Sequence, residues 1–264
     1  MNDAATRRNP SLPPVAKRLL EWFHRYARWY LARNFHGLHL LRLSDVTAVE
    51  NLPLLVCLNH PSWWDPLVGL HLSQRVFPQR AHFAPIDAAG LAKYKFLERL
   101  GFFGVERGTR RGAARFLEIG EAVLKRADAA LWVTPQGEFT DVRVPVKLKP
   151  GIGHLANRLD RFALLPVALE YGFWNERYPE AFVCIGRPLI EDGRTRNAAQ
   201  WTDVFESSLQ ETLTALSSRV VQRKTELFEQ LLEGKAGVGG IYDLWRASKA
   251  RLQGKRWQPE HSGD

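Results

Sequence analysis

Cysteine is scarce in this 264-residue chain: there are two, Cys57 and Cys184. Two cannot form a disulfide framework, and Cys57 sits in an apolar run, so both read as buried thiols of a reducing compartment. Long apolar runs are missing too. No window approaches the ~18 consecutive apolar residues of a spanning helix. No signal-peptide pattern is expected, because the first 14 residues are polar and carry Pro10, Pro13 and Pro14. Zinc-finger spacing, a helix-turn-helix signal and an RNP-like stretch are all absent, so nucleic acid is not an expected partner. Acidic side chains are outnumbered 28 to 37 by Lys and Arg, a formal charge of +9. That balance suits an anionic membrane surface or an acidic small substrate. A 45% hydrophobic content is ordinary for a globular domain and supports a core without staples.

From residue 15 to 35, Val15, Leu19, Trp22, Phe23, Tyr26, Trp29 and Tyr30 recur at helical spacing, interleaved with Lys17, Arg18, Arg25, Arg28 and Arg33. Residues 1–36 hold seven basic and two acidic side chains, a net +5. Two readings of this helix stay open: a basic aromatic helix lying in a bilayer interface, or a helix covering the core with its arginines in water. Further on, Leu54 to Leu58, Phe102 to Val105, Ala130 to Val133, Phe162 to Ala168 and Phe182 to Ile185 are short apolar runs, the signature of strands covered on both faces. Helical stretches at Gly112 to Arg126 and Val204 to Glu233 alternate with them. The pattern predicts an α/β fold with a mixed, largely parallel sheet covered by helices. Gly234 to Gly240 is glycine-rich and reads as flexible, setting off a basic tail. The expected divisions are an interfacial helix over 1–40, a catalytic domain over 41–235 and a flexible segment over 236–264.

The most informative block is Asn59-His60-Pro61-Ser62-Trp63-Trp64-Asp65-Pro66, directly after a strand and before a helix-like run. On a regular helix His60 and Asp65 would point about 140° apart. Pro61 and Pro66 prevent such a helix, so the turn can curl Asp65 toward the imidazole. An aspartate accepting from one ring nitrogen fixes the tautomer and leaves the other nitrogen as a base. The bland reading makes Asp65 a helix N-cap and His60 a turn residue. His24, His36 and His39 are expected at the surface. No His/Cys cluster has metal-ligand spacing, and no metal or other cofactor is expected.

After this block come Gly101 to Arg107, then Pro135-Gln136-Gly137-Glu138-Phe139-Thr140, then Leu165-Pro166-Val167-Ala168. Four blocks in that order, across residues 50 to 190, resemble the glycerolipid acyltransferase family. The resemblance implies an α/β fold, catalysis by His60 and Asp65, acyl-CoA or acyl-carrier protein as co-substrate donor, and a lysolipid acceptor. It places Arg107 as a substrate-binding arginine. The third block departs from the family's Glu-Gly-Thr-Arg. Gln136 stands for the acid, and the arginine that would hold a phosphate is missing. Arg143, Lys147 and Lys149 follow closely as possible replacements, with Gly137 and Glu138 in the same turn. A flexible lysine does not replace a bidentate guanidinium, so the acceptor stays open between phosphate-bearing lysolipids, other headgroups and glycolipids. The expectation is an acyltransferase bound peripherally to the cytoplasmic face of a membrane. The rival readings are a thioesterase and a lipid-binding module that has lost activity.

Overall fold

The computed structural model describes residues 12–236; Arg7, Arg8 and the tail beyond Ala236 lie outside the described residues. The chain runs α1 (Lys17–Asn34), β1 (Gly37–Arg42), β2 (Leu54–Leu58), α2 (Asp65–Val76), β3 (Ala81–Asp87), α3 (Ala88–Lys93), β4 (Phe102–Val105), α4 (Arg110–Val123), β5 (Ala129–Val133), α5 (Gly151–Ala156), β6 (Arg161–Gly172), β7 (Glu180–Ile185), β8 (Leu189–Asp192), α6 (Ala198–Val220) and β9 (Glu229–Glu233). Among the described residues the strands form one sheet in the order β4-β3-β5-β2-β6-β7-β1-β9, with β8 against β6. From β4 to β6 every pairing is parallel. β7 turns antiparallel to β6 and carries β1 beside it in parallel, and β9 closes that edge antiparallel. The expected mixed, largely parallel sheet is what forms.

β2 shows why the apolar runs are continuous. Leu55 and Cys57 join the core under α4, α5 and α6, while Leu54, Val56 and Leu58 face the core shared with α1 and α2. All five are buried, so neither face tolerates a polar residue. Both cysteines are buried, and burial alone pushes the Cys184 thiol up to about 12 and Cys57 higher still. Neither is a nucleophile in that setting.

Three expectations are corrected. The helix expected from Val204 to Glu233 ends at Val220; Arg223 takes a left-handed φ of 53°, and Glu229–Glu233 becomes an edge strand on β1. Leu227 continued the apolar spacing, but the backbone amides of the segment beyond it find their partners in the sheet rather than in a helix. Gly234 and Lys235 are not free either, since their amides donate to the carbonyls of His36 and Phe35. Finally, His24 and His39 are buried. His39 lies in β1 with its Nε2 2.9 Å from Glu180, and His36 Nδ1 is 2.5 Å from the other oxygen of that carboxylate. β1 pairs Gly37 with Glu180, and that register places the acid between the two imidazoles. Burial alone would raise the Glu180 carboxyl, but the two histidines hold it below its usual range.

The first helix presents an unexpected face to the protein. His24, Ala27 and Leu31 are buried on it. Trp22 and Trp29 are more than half exposed, and Tyr26 is exposed between them. The rings stack on one another along the outside: Trp22 on Tyr26 at 5.8 Å, Tyr26 on Tyr30 at 5.7 Å, and Tyr30 against Trp64 at 5.4 Å. No described helix is long and apolar enough to cross a membrane.

Candidate active site

Three adjacent parallel strands point their carboxyl ends to the same side of the sheet. β5 stops at Val133, β2 at Leu58, and β6, longer, at Gly172. The segments at those carboxyl ends supply the site, as in other open α/β sheets. After β2, the Asn59 side chain extends the ladder to β6: its amide donates to the Leu169 carbonyl at 2.8 Å, and its oxygen accepts from the Leu169 amide at 2.7 Å. The next residue is His60, and its backbone is clamped from the β5 side. Its amide donates to Gln136 Oε1 at 2.8 Å, and its carbonyl accepts from the Thr140 amide at 2.9 Å.

The chain then turns through Pro61 and enters α2 at Asp65, with Pro66 in the first turn. Asp65 Oδ2 lies 2.6 Å from His60 Nδ1 and also accepts from the Ser62 amide at 3.1 Å. Tyr171, at the end of β6, donates its hydroxyl to Asp65 Oδ1 at 2.7 Å. The Asp65 side chain is 1% exposed and that of His60 14%. Acid and imidazole therefore meet as the block's spacing suggested, with the acid enclosed and the ring open. The N-cap reading fails on a direct point: Asp65 opens α2 from inside its first turn, and the cap position is Trp64, whose side chain makes no capping bond.

Beside the pair lies a cavity of about 160 Å³ between α2 and the strands β3, β4 and β5. His60 and Asp65 form part of its wall. Leu70, Phe83, Ile86, Phe102 and Trp132 make it largely apolar, and Asp87 and Arg107 bring charge. His82 also lines it, with both ring nitrogens engaged. Nδ1 lies 3.0 Å from the Trp132 indole nitrogen, and Nε2 lies 3.0 Å from the Phe77 carbonyl. An indole N–H only donates, so Nδ1 accepts, Nε2 carries the proton, and the ring is neutral. Burial lowers its pKa to about 4.

The remaining sequence candidates divide. Arg107 lines the cavity, more than half exposed, and stands 3.5 Å from Asp87. Arg143 is spent in a two-pronged pair with Asp141, at 2.8 and 2.6 Å, and the guanidinium holds that carboxyl well below its usual range. Lys147 pairs with Glu206 at 3.3 Å. Lys149 has no ion pair among the described residues, and its stem lies over Gly137. A Cβ at Gly137 would sit 2.6 Å from the Lys149 Nζ, and the left-handed φ of 73° there favours glycine independently. Glu138 is exposed on the same turn. Phe139 stands 61% exposed with its ring 4.5 Å from that of His60. Among the described residues no group of His, Cys, Asp and Glu is arranged to hold a metal ion.

Sequence reasoning missed three contributors: Tyr171, Asn59 as a strand splice, and Gln136 as the acceptor of the His60 amide. Tyr171 and Gln136 lie 106 and 76 positions from the residues they hold. Asn59 stood out only as the first residue of the His60 block and Gln136 only as the oddity of the third block, while nothing pointed to Tyr171.

A 1-acyl-sn-glycerol-3-phosphate acyltransferase of Saccharomyces cerevisiae is 26% identical over 230 residues, covering 78% of this chain and 73% of its own length. The crystal structure of the 1-acyl-sn-glycerophosphate acyltransferase of Thermotoga maritima aligns over 76% of this chain and 80% of its own, at 16% identity and a TM-score of 0.46. The family model described as Acyltransferase matches residues 33–170, just over half of the 264, and spans His60, Asp65, Arg107 and the third block. The chain is a member of the acyltransferase family, and an enzyme that transfers acyl groups.

Proposed function

We propose that this enzyme moves a fatty acyl group from an acyl thioester, of CoA or acyl-carrier protein, to a lysolipid hydroxyl, with His60 as general base. The observation that carries this reading is the 2.6 Å contact between His60 Nδ1 and the enclosed Asp65 carboxylate, beside an apolar cavity. Asp65 holds the tautomer with its proton on Nδ1, so Nε2 is free to accept the acceptor's hydroxyl proton. The alkoxide oxygen attacks the thioester carbonyl, and Asp65 steadies the imidazolium. As the tetrahedral intermediate collapses the C–S bond breaks, and His60 returns the proton to the departing thiolate. The cavity is where the acyl chain would lie. Arg143 and Lys147 are each held by a carboxylate away from the cavity, so an anionic headgroup would be met by Lys149, which has no ion pair among the described residues, and by Arg107, which lines the cavity beside its partner Asp87.

The site would work at the cytoplasmic surface of an anionic bilayer. What supports this is the outward aromatic stripe of α1, flanked by exposed Lys17, Arg18, Arg25, Arg28 and Arg33 and running through Tyr30 to Trp64 beside the pair. Indoles and phenols of this kind sit at headgroup depth, and each cation near an anionic surface is worth ~1 kcal/mol.

The test is thiol release from acyl-CoA and from acyl-carrier protein, with a panel of lysolipids bearing phosphate, other headgroups or sugar. Release that requires one acceptor supports transfer and names the acceptor. Equal release without any acceptor makes the protein a thioesterase. Lipid binding with no release from either donor makes it a binding module.

A further inference from the structure

The Asp65 carboxylate is held by more than its histidine. Oδ2 accepts from His60 Nδ1 and from the Ser62 amide, while Oδ1, the oxygen the imidazole does not use, accepts from the Tyr171 hydroxyl at 2.7 Å. The terminal torsion of an aspartate is soft and roughly two-fold, so an acid held through one oxygen alone swings readily. A carboxylate that swings by tens of degrees loses the alignment of a 2.6 Å bond, and with it the bias toward one imidazole tautomer. Tyr171 removes that freedom from the far side. Its ring is placed by β6 and by Phe35, whose centroid is 5.8 Å away. Tyr171 also ties the end of a central strand to the first residue of α2, so the acid cannot drift with the loop between Pro61 and Trp64.

We propose that Tyr171 is a positioning residue for catalysis, its hydroxyl fixing the Asp65 carboxylate in the orientation that holds the His60 ring. The inference rests on the reading of His60 as the base. Burial and the adjacent Asp65 charge push the phenol well above its usual range, so it remains a donor at any working pH. The residue touches neither donor nor acceptor in this role. It acts through Asp65, and its removal should therefore lower kcat and leave KM alone.

Three variants decide the matter: Tyr171→Phe, Asp65→Asn, and the two combined, with kcat and KM measured per folded molecule on thioester and acceptor. Loss of a hydrogen bond to a charged group corresponds to about a 10- to 100-fold fall in kcat for Tyr171→Phe, with both KM values within two-fold of the parent. In the Asp65→Asn background the same change should cost less than two-fold, because the group it positions is already gone. A Tyr171→Phe enzyme within two-fold of the parent, beside a severely slowed Asp65→Asn enzyme, overturns the positioning role and leaves the His60–Asp65 reading standing. An Asp65→Asn enzyme as fast as the parent overturns that reading and this proposal with it. Should Tyr171→Phe fold poorly, 3-fluorotyrosine at position 171 keeps the shape and sharpens the donor. The downfield proton resonance of the His60–Asp65 bond should then move, and an unmoved resonance would overturn the proposal.

Discussion

Acidification gives the sharpest quantitative test of the cavity wall. His82 is neutral because its two nitrogens are committed in opposite senses, Nδ1 accepting from the Trp132 indole and Nε2 donating to the Phe77 carbonyl. A second proton must go onto Nδ1, where it would face the indole N–H donor to donor. Burial is the main reason the pKa falls from 6.5 to about 4, with repulsion from His24 and Arg80 adding to it. The sign follows. Between these two values the unfolded chain binds a proton that the folded chain refuses, so stability drops as pH falls through that window. A gap of roughly 2.5 units at 1.36 kcal/mol per unit gives about 3 kcal/mol, a sizeable share of the 5–15 kcal/mol typical of a domain. Buried His24 and His71, both lowered, and Glu180, also lowered, tilt stability in the same direction. The parent slope alone therefore cannot isolate His82. A His82→Gln variant can, because it cannot titrate. Urea unfolding of parent and variant at half-unit steps from pH 7 to pH 4 should show the parent's advantage shrinking by about 3 kcal/mol. A constant difference across that range would refute the neutral, tautomer-locked account of His82.

Other outcomes follow from the site. His60→Ala should lower turnover by ~10²–10⁴-fold with the fold intact by circular dichroism, and residual activity within a few-fold of the parent would remove His60 as the base. Gln136→Leu strands the His60 amide and should cost about 1–3 kcal/mol in thermal unfolding, whereas Gln136→Glu keeps an acceptor and should retain more activity; equal behaviour of the two would show that the contact is incidental. Replacing Trp22 and Trp29 together by Ala should weaken sedimentation with anionic vesicles and leave the melting temperature unchanged, since both rings are exposed. Salt should weaken the parent's binding without abolishing it, because the Debye length falls from ~10 Å at 0.1 M to ~3 Å at 1 M while the aromatic contribution is unscreened.

The strands most legible in the sequence are those where burial is two-sided, and β4, half-buried at its ends, was legible through its short Phe102-Phe103-Gly104-Val105 run. β2, β5, β6 and β7 are apolar on both faces, and each appears as a continuous run. β1 carries His39 inward, β3 contains Pro85 and is mostly half-buried, and β9 reads Glu-Gln-Leu-Leu-Glu, so none of the three has a period to find. The helical stripe past Val220 misled because the spacing of leucines says nothing about where a backbone leaves the helix. In α1 the spacing of large rings was visible, but the buried face is built from Leu31 with His24 and Ala27, and a polar and a small residue leave that face too weak a stripe for hydrophobic periodicity to find. In the site the His60–Asp65 pairing was legible because both partners sit in one turn bounded by prolines. Tyr171 and Gln136 were not, since what joins them to the pair is the order of strands.

That order also explains how a chain with an altered third block keeps His60 in place. From β2 the chain passes through α2 to β3 and β4, returns to insert β5 against β2, and only then lays β6 on β2's other side. The residues after β2 are thus flanked by chain from both directions, and each flank contributes two restraints. From β5, Gln136 and Thr140 clamp the His60 backbone. From β6, the Leu169 carbonyl accepts from Asn59 and the Tyr171 hydroxyl donates to Asp65. The clamp on His60 needs only an acceptor oxygen at position 136, which a glutamine supplies as well as a glutamate, without a second buried charge near Asp65. The glutamine therefore leaves His60 where the sheet puts it and changes what surrounds it: a phenyl ring at Phe139 against the imidazole, and Lys149 beside Gly137. On this argument the third block's departure bears on which acceptor is recognised rather than on whether acyl transfer occurs. Lys149→Ala should accordingly raise the acceptor KM for an anionic lysolipid and leave the KM for the thioester unchanged. Equal effects on both substrates would place Lys149 outside the acceptor's headgroup site.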